Sequence, residues 1–116
     1  MKKLNQSSLG IDQGNVELFS EFANGGEMWT GTGPRERRRT ITFSQSFAHM
    51  PVVQVSLSLW DIDSETNVRA DVQAENVTQA GFDMVFRTWA DTRVARVGLS
   101  WIALGPVAHE DDWDLY

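Results

Sequence analysis

Apolar and polar side chains alternate with a period of two through most of the chain after residue 40, which predicts a succession of β-strands. Thr40, Thr42 and Ser44 alternate with Ile41, Phe43 and Gln45. Beyond Pro51, Val53, Val55, Leu57 and Leu59 share one face, and Val52, Gln54, Ser56, Ser58 and Trp60 share the other. Proline is tolerated at that entrance because it has no amide hydrogen to give a ladder. Val68, Ala70, Val72 and Ala74 then oppose Arg69, Asp71, Gln73 and Glu75, and Gln79-Ala80-Gly81 turns the chain. Phe82, Met84, Phe86 and Thr88 alternate with Asp83, Val85, Arg87 and Trp89 as far as a second turn, Ala90-Asp91-Thr92. From Arg93 to Leu104 one face carries Val94, Arg96, Gly98, Ser100, Ile102 and Leu104; the other carries Arg93, Ala95, Val97, Leu99, Trp101 and Ala103.

Before residue 40 the signal is weaker. Leu9 and Ile11, then Val16, Leu18 and Phe19, mark a terminal strand or arm. Ala23 to Pro34 is glycine-rich around Trp29 and reads as an ordered or semi-ordered loop, since glycine serves where the backbone needs positive φ or close approach. No stretch between the strands has the length and 3.6-residue period of an amphipathic helix. Short turns joining consecutive strands predict an all-β sandwich or barrel. At 116 residues the expected organisation is a single domain over 1–116, with an acidic tail over 106–116 around Trp113.

Composition narrows the function classes. With no cysteine there is neither a disulfide framework nor a thiolate metal site, and the expectation is no cofactor and no metal. A formal net charge of -6 disfavours nonspecific attachment to nucleic acid or anionic membranes, and no apolar run approaches the ~20 residues of a membrane-spanning helix. The residues after Met1 carry two lysines without an apolar run of signal-peptide type, so localisation stays open, with extracellular or particle-associated action expected by another route.

Catalytic patterns are weak, and the expectation is a protein that is not an enzyme. His109-Glu110 begins like a zinc-protease helix, but Trp113 stands where the second imidazole is required. Asp61, Asp63 and Glu65 are spaced to project on one side of an extended chain, as a solvated strand end or a site for a hard cation. Asn76-Val77-Thr78 has the form of a glycosylation acceptor. Arg35, Arg37 and Arg38 are candidate contacts for an anion, a phosphate or acidic polysaccharide; alternatively they face water or pair with the surplus acids. Trp89, at a strand end beside Arg87 and Asp91, has the makings of a sugar platform. Its ring can cover the apolar face of a pyranose while charged neighbours satisfy the hydroxyls; a core or interface role is the plainer reading.

Pro51-Val52-Val53, Ser56 to Asp63, Asn67-Val68-Arg69, Gly81-Phe82, Thr88 to Val94 and Ser100 to Ala103, in that order and spacing, resemble the H-type lectin domain of snail agglutinins and discoidins. The resemblance is strongest over 40–105. It implies a six-stranded antiparallel β-sandwich, assembled as a homotrimer or homohexamer, that binds galactose or N-acetylgalactosamine without chemistry. By the same resemblance Arg69 and Trp89 match sugar contacts, Asp91 or Arg93 is a candidate replacement contact, and Gly31 and Thr32 fall where the family carries an aspartate. Ala90 and Ala95 stand where the family has a histidine and an aromatic residue, which leaves sugar identity open. The expected function is carbohydrate binding by an oligomeric lectin, its partners being glycans or cell-surface polysaccharide. The alternative is a structural or adhesion subunit that keeps the scaffold without a working sugar site. The apolar groups on both faces of the last strand, Val97, Leu99 and Trp101 against Ile102 and Leu104, add an expectation of subunit contact.

Overall fold

A computed structural model describes Met1, Lys3 and residues 8–108. The expectations for His109-Glu110 and for the acidic end around Trp113 lie outside the described residues. The elements are β1 (Leu9–Ser20), a single helical turn α1 (Glu27–Thr30), β2 (Arg35–Thr42), β3 (Val52–Ile62), β4 (Asp71–Glu75), β5 (Gly81–Thr88) and β6 (Val94–Pro106). They form two three-stranded antiparallel sheets, β1-β6-β3 and β2-β5-β4. The expected six-stranded antiparallel sandwich is what the chain adopts.

Its core lies between the sheets. Met84 and Phe86 of β5 face Val97, Leu99 and Ala103 of β6, all five fully buried. Phe43, Phe47, Phe82 and Trp101 close one end of this layer, with ring centroids 5.0 to 5.8 Å apart, the spacing at which stacked, tilted and edge-on aromatic pairs attract. Gly14 makes room for that cluster: it pairs with Trp101 across the ladder, and a Cβ there would lie 2.6 Å from the indole Nε1.

Three strand boundaries differ from expectation, each for a chemical reason. β2 begins at Arg35 rather than Thr40, so the arginine run is itself strand. Its first five residues are charged on both faces, which hydropathy does not register as alternation: Glu36, Arg38 and Thr40 project outward into an ion-pair lattice with Glu75, Asp83 and Arg87. The lattice roofs Val85, which is fully buried on the nominally polar face by the stems of long side chains paired around it. β4 starts at Asp71 rather than Val68, because the backbone at 67 and 69 bonds to threonine hydroxyls instead of a ladder. β1 runs as one strand of 12 residues, and a bulge between Glu17 and Phe19 brings both Leu18 and Phe19 into the core.

Bulges also correct two predicted faces. An irregularity at Leu57/Leu59 turns Leu59 outward, and another opposite Asp61/Ile62 brings Val94 into the core with Val97. One inserted residue exchanges the faces beyond it.

The outer face of β1-β6-β3 is apolar at one end. Its cross-strand rows read Ile11–Leu104–Val52, then Gln13–Ile102–Gln54, then Asn15–Ser100–Ser56. Ile11 is 63%, Val52 51% and Ile102 41% exposed. The third row is hydroxyl and amide, with Ser56 and Ser100 hydroxyls 3.0 Å apart and Ser58 donating to Asn15 at 2.8 Å.

Candidate functional site

Three loops meet at one end of the sandwich: residues 31–34 before β2, 63–70 before β4 and 89–93 between β5 and β6. Backbone bonds join them, from Gly33 N to Ala90 O (2.8 Å) and from Asp63 N to Arg93 O (2.9 Å). Ala90 holds a left-handed conformation at φ 58°, which costs a residue with a Cβ about 1–2 kcal/mol. That turn aims its carbonyl at both Gly33 N and the Arg35 guanidinium (3.3 Å), so the strained residue is held by the loop it organises.

Two threonines fix the middle loop. The buried Thr92 hydroxyl donates to Asn67 O at 2.6 Å and accepts from Arg69 N at 3.1 Å. Thr88, equally buried, donates to Arg69 O at 2.6 Å. Arg69 is thus gripped at both its amide and its carbonyl.

From that anchored backbone the Arg69 side chain reaches Asp91, Nη1 to Oδ1 3.4 Å, and the Asn67 amide donates to the same carboxylate at 3.3 and 3.4 Å. Partial desolvation pulls the Asp91 carboxyl upward, but the Asn67 hydrogen bonds, its own amide and the Arg69 charge outweigh that and hold it below the ordinary carboxylate range. The pair is well hydrated, with side chains 36% and 53% exposed, and so adds little to the stability of the fold. Its value is chemical. Arg69 offers further guanidinium donors without a partner among the described residues, beside a fixed carboxylate acceptor. Trp89, 42% exposed, stands two residues before Asp91.

The remaining predicted residues divide. Gly31 and Thr32 lie on the first of the three loops; Gly31 N closes α1 onto Glu27 O at 2.7 Å, and Thr32 is exposed. Arg35 is only 4% exposed and donates to the carbonyls of Gly33, Met28 and Ala90, so its guanidinium organises the loop from inside. Arg37 grips Glu21 through two bonds of 2.9 and 2.8 Å, and Arg38 spreads over Glu36, Glu75 and Asp83. Pairing with acids, the plainer reading of these two, is how the fold uses them. Arg93 stacks over Trp29, 4.2 Å to the ring centroid, and reaches Asp63 at 3.3 Å, while Asp61 pairs with Arg96. The aspartates spaced for a cation therefore diverge to separate arginines.

Sequence reasoning missed Thr88 and Thr92 as clamps and Asn67 as the partner of Asp91. Two threonines four apart around a tryptophan turn are the only trace they leave in the sequence.

A groove of about 510 Å³ adjoins the cluster, lined by Pro34, Glu36, Ala70, Asp71, Arg87 and Trp89 among others.

A model of the H-type lectin domain matches residues 38–104. The chain belongs to the H-type lectin domain family. It is 52% identical over 109 residues to ORF 7 of the ATP synthase subunits region of Fuscovulum blasticum, covering 94% of this chain and 95% of that one. It is 37% identical over 75 residues to a discoidin-1 polypeptide of Dictyostelium discoideum, covering 64% of this chain and 30% of the discoidin. Among solved structures, recombinant discoidin II of the same organism superposes with a TM-score of 0.74 at 24% identity, covering 90% of this chain and 40% of that one. The H-type lectin chain thus spans well under half the length of the discoidins it resembles, and the likeness to discoidin II speaks for the fold.

Proposed function

We propose that this H-type lectin domain binds carbohydrate without chemical change, through Arg69, Asp91 and Trp89, and does so as an oligomer. The observation that carries the reading is the Arg69–Asp91–Asn67 cluster beside exposed Trp89. It pairs guanidinium donors with a carboxylate acceptor at an aromatic surface, the combination that a sugar's hydroxyls and C–H face require. Arg35, Arg37 and Arg38 spend every guanidinium nitrogen within the fold; Arg69 does not. Gly31 and exposed Thr32 lie on the first of the three loops at the same end and are candidate contacts.

A site this open holds one sugar weakly, and several sites on a rigid assembly gain avidity. The outer face of β1-β6-β3 supplies the contact for such an assembly: an apolar strip at Ile11, Val52 and Ile102, with a hydroxyl and amide row beside it to fix register.

A glycan array on the assembled protein tests the binding. Arg69→Ala should leave assembly unchanged and weaken glycan binding at least tenfold, as loss of charge-assisted hydrogen bonds implies. An empty array at high protein concentration would sink the lectin reading and leave the scaffold as a structural or adhesion subunit.

A further inference from the structure

The groove beside the cluster is built from one cross-strand row. Glu36, Arg87 and Asp71 face one another across β2, β5 and β4. Pro34 stands two residues before Glu36, Trp89 two after Arg87 and Arg69 two before Asp71, so the candidate sugar contacts lie just beyond the end of the row. Ala70 and Pro34 give the groove apolar walls and Trp89 gives it an aromatic one, and its volume of about 510 Å³ is that of a ligand pocket.

Its polar chemistry differs from that of the Arg69 cluster. Arg87 is already held between Glu36 at 2.9 Å and Glu75 at 2.7 Å, and Arg35 is turned inward. Asp71 has only the Gln73 amide as a partner among the described residues, at 3.1 Å. Glu36 is spent on Arg38 and Arg87, so the groove offers one carboxylate with a free oxygen, Asp71, and little free positive charge among the described residues. Such a surface accepts hydrogen bonds from hydroxyl or ammonium groups and repels a carboxylate.

We propose that this groove is a second saccharide subsite, holding the neighbouring unit of a glycan chain whose first unit sits at Arg69 and Asp91, and that it takes a neutral or amino sugar and rejects an acidic one. The inference rests on the lectin reading above and names the glycan class that reading leaves open. It also predicts that the protein is not a receptor for acidic polysaccharide, despite its arginine run. Trp89 serves both units, which is why a chain rather than two separate sugars is the occupant.

Isothermal titration tests this with four probes: galactose, a digalactoside, its analogue with galactosamine as the second unit, and its analogue with galacturonic acid there. The neutral digalactoside should bind at least tenfold more tightly than galactose, the amino analogue at least as tightly as the neutral one, and the galacturonic analogue no better than galactose. Asp71→Ala should abolish the gain from the second unit and leave galactose affinity unchanged. Asp71 begins a strand and carries little of the core, and thermal unfolding of the variant would verify that the fold persists. Equal affinity for galactose and the digalactoside, an undiminished gain in Asp71→Ala, or preference for the galacturonic analogue would overturn the subsite alone. Absence of binding by all four probes would overturn it together with the lectin reading.

Discussion

Replacing Thr92 by Val keeps the shape of the side chain and removes one hydroxyl. In the native fold that hydroxyl is fully buried, donating to Asn67 O at 2.6 Å and accepting from Arg69 N at 3.1 Å. The variant loses both bonds, each of ordinary net worth about 1 kcal/mol, and leaves a carbonyl and an amide short of a partner in a partly buried loop. Asn67 is exposed enough for water to compensate its carbonyl, whereas the amide of Arg69 lies further in. The expected destabilisation is therefore about 2 kcal/mol, which for a domain near this size lowers the melting temperature by roughly 8–12 °C. Urea unfolding at fixed protein concentration measures it, with Thr92→Ser as control, because serine retains both bonds and should remain within about 1 kcal/mol of the native chain. Arg69 and Asn67 also lose their anchor, so glycan affinity should fall in Thr92→Val and persist in Thr92→Ser. A Thr92→Val protein as stable as the native one would refute the claim that this hydroxyl holds the 67–70 segment out of the β4 ladder.

Arg37→Met should cost about 2–3 kcal/mol in urea unfolding, because it strands the Glu21 carboxylate, whose side chain is 11% exposed; adding Glu21→Gln should recover much of the loss. Ala90→Gly should raise stability by about 0.5 kcal/mol, strain relief at φ 58° exceeding the entropy of the freer unfolded chain, and a lowered melting temperature would contradict it. Ile102→Lys should yield a folded monomer by light scattering, since the residue is exposed in the single chain; an intact oligomer would place the subunit contact elsewhere. Acid should destabilise the protein progressively. Ser44 holds Asp12 low, Arg38 holds Glu36, Arg87 holds Glu75, and Asn76 and Thr40 hold Asp83. Groups depressed on folding stabilise fully above their unfolded values near pH 4 and lose that contribution as pH falls through the folded ones, so melting temperature should stay level from pH 7 to about 5 and decline below about 4.

The sandwich was legible because its central strands obey period two: Phe82, Met84, Phe86 and Thr88 are all buried as the alternation requires. Hydropathy failed where side chains other than apolar ones set the pattern. Along the Arg35–Arg39 run one face carries Arg35, which bonds loop carbonyls, and Arg37, which grips Glu21, while Arg38 on the other bonds carboxylates, and no hydrophobic count registers that as strand. Val68 and Ala70 have the alternation of a strand and are not in one, since Thr88 and Thr92 take the backbone groups a ladder would use. Leu59 and Val94 exchange faces through single-residue irregularities that depend on a partner strand far off in sequence. Arg69, Trp89 and Asp91 were legible as candidates from motif order, but Asn67 as the amide that fixes Asp91 was not, being 24 residues away in the chain.

The surplus of acid, net -6 over the whole chain, determines what the arginines can do. Paired against carboxylates or turned onto carbonyls, Arg35, Arg37 and Arg38 become tethers between loops and strands, and a cluster that looks basic in sequence offers little attraction to an anion in the fold. Arg69 escapes because Asp91 is shared with Asn67, which supplies part of the hydrogen bonding that would otherwise draw the guanidinium in. Asn67→Ala should therefore draw Arg69 closer onto Asp91 and weaken glycan binding severalfold while hardly moving the urea midpoint, because the bonds it removes are exposed to water. Titration calorimetry against the best array ligand reads the first effect and urea unfolding the second. Unchanged affinity would mean that Arg69 is not kept available by the shared carboxylate, and the account of why this one arginine serves the site would fail.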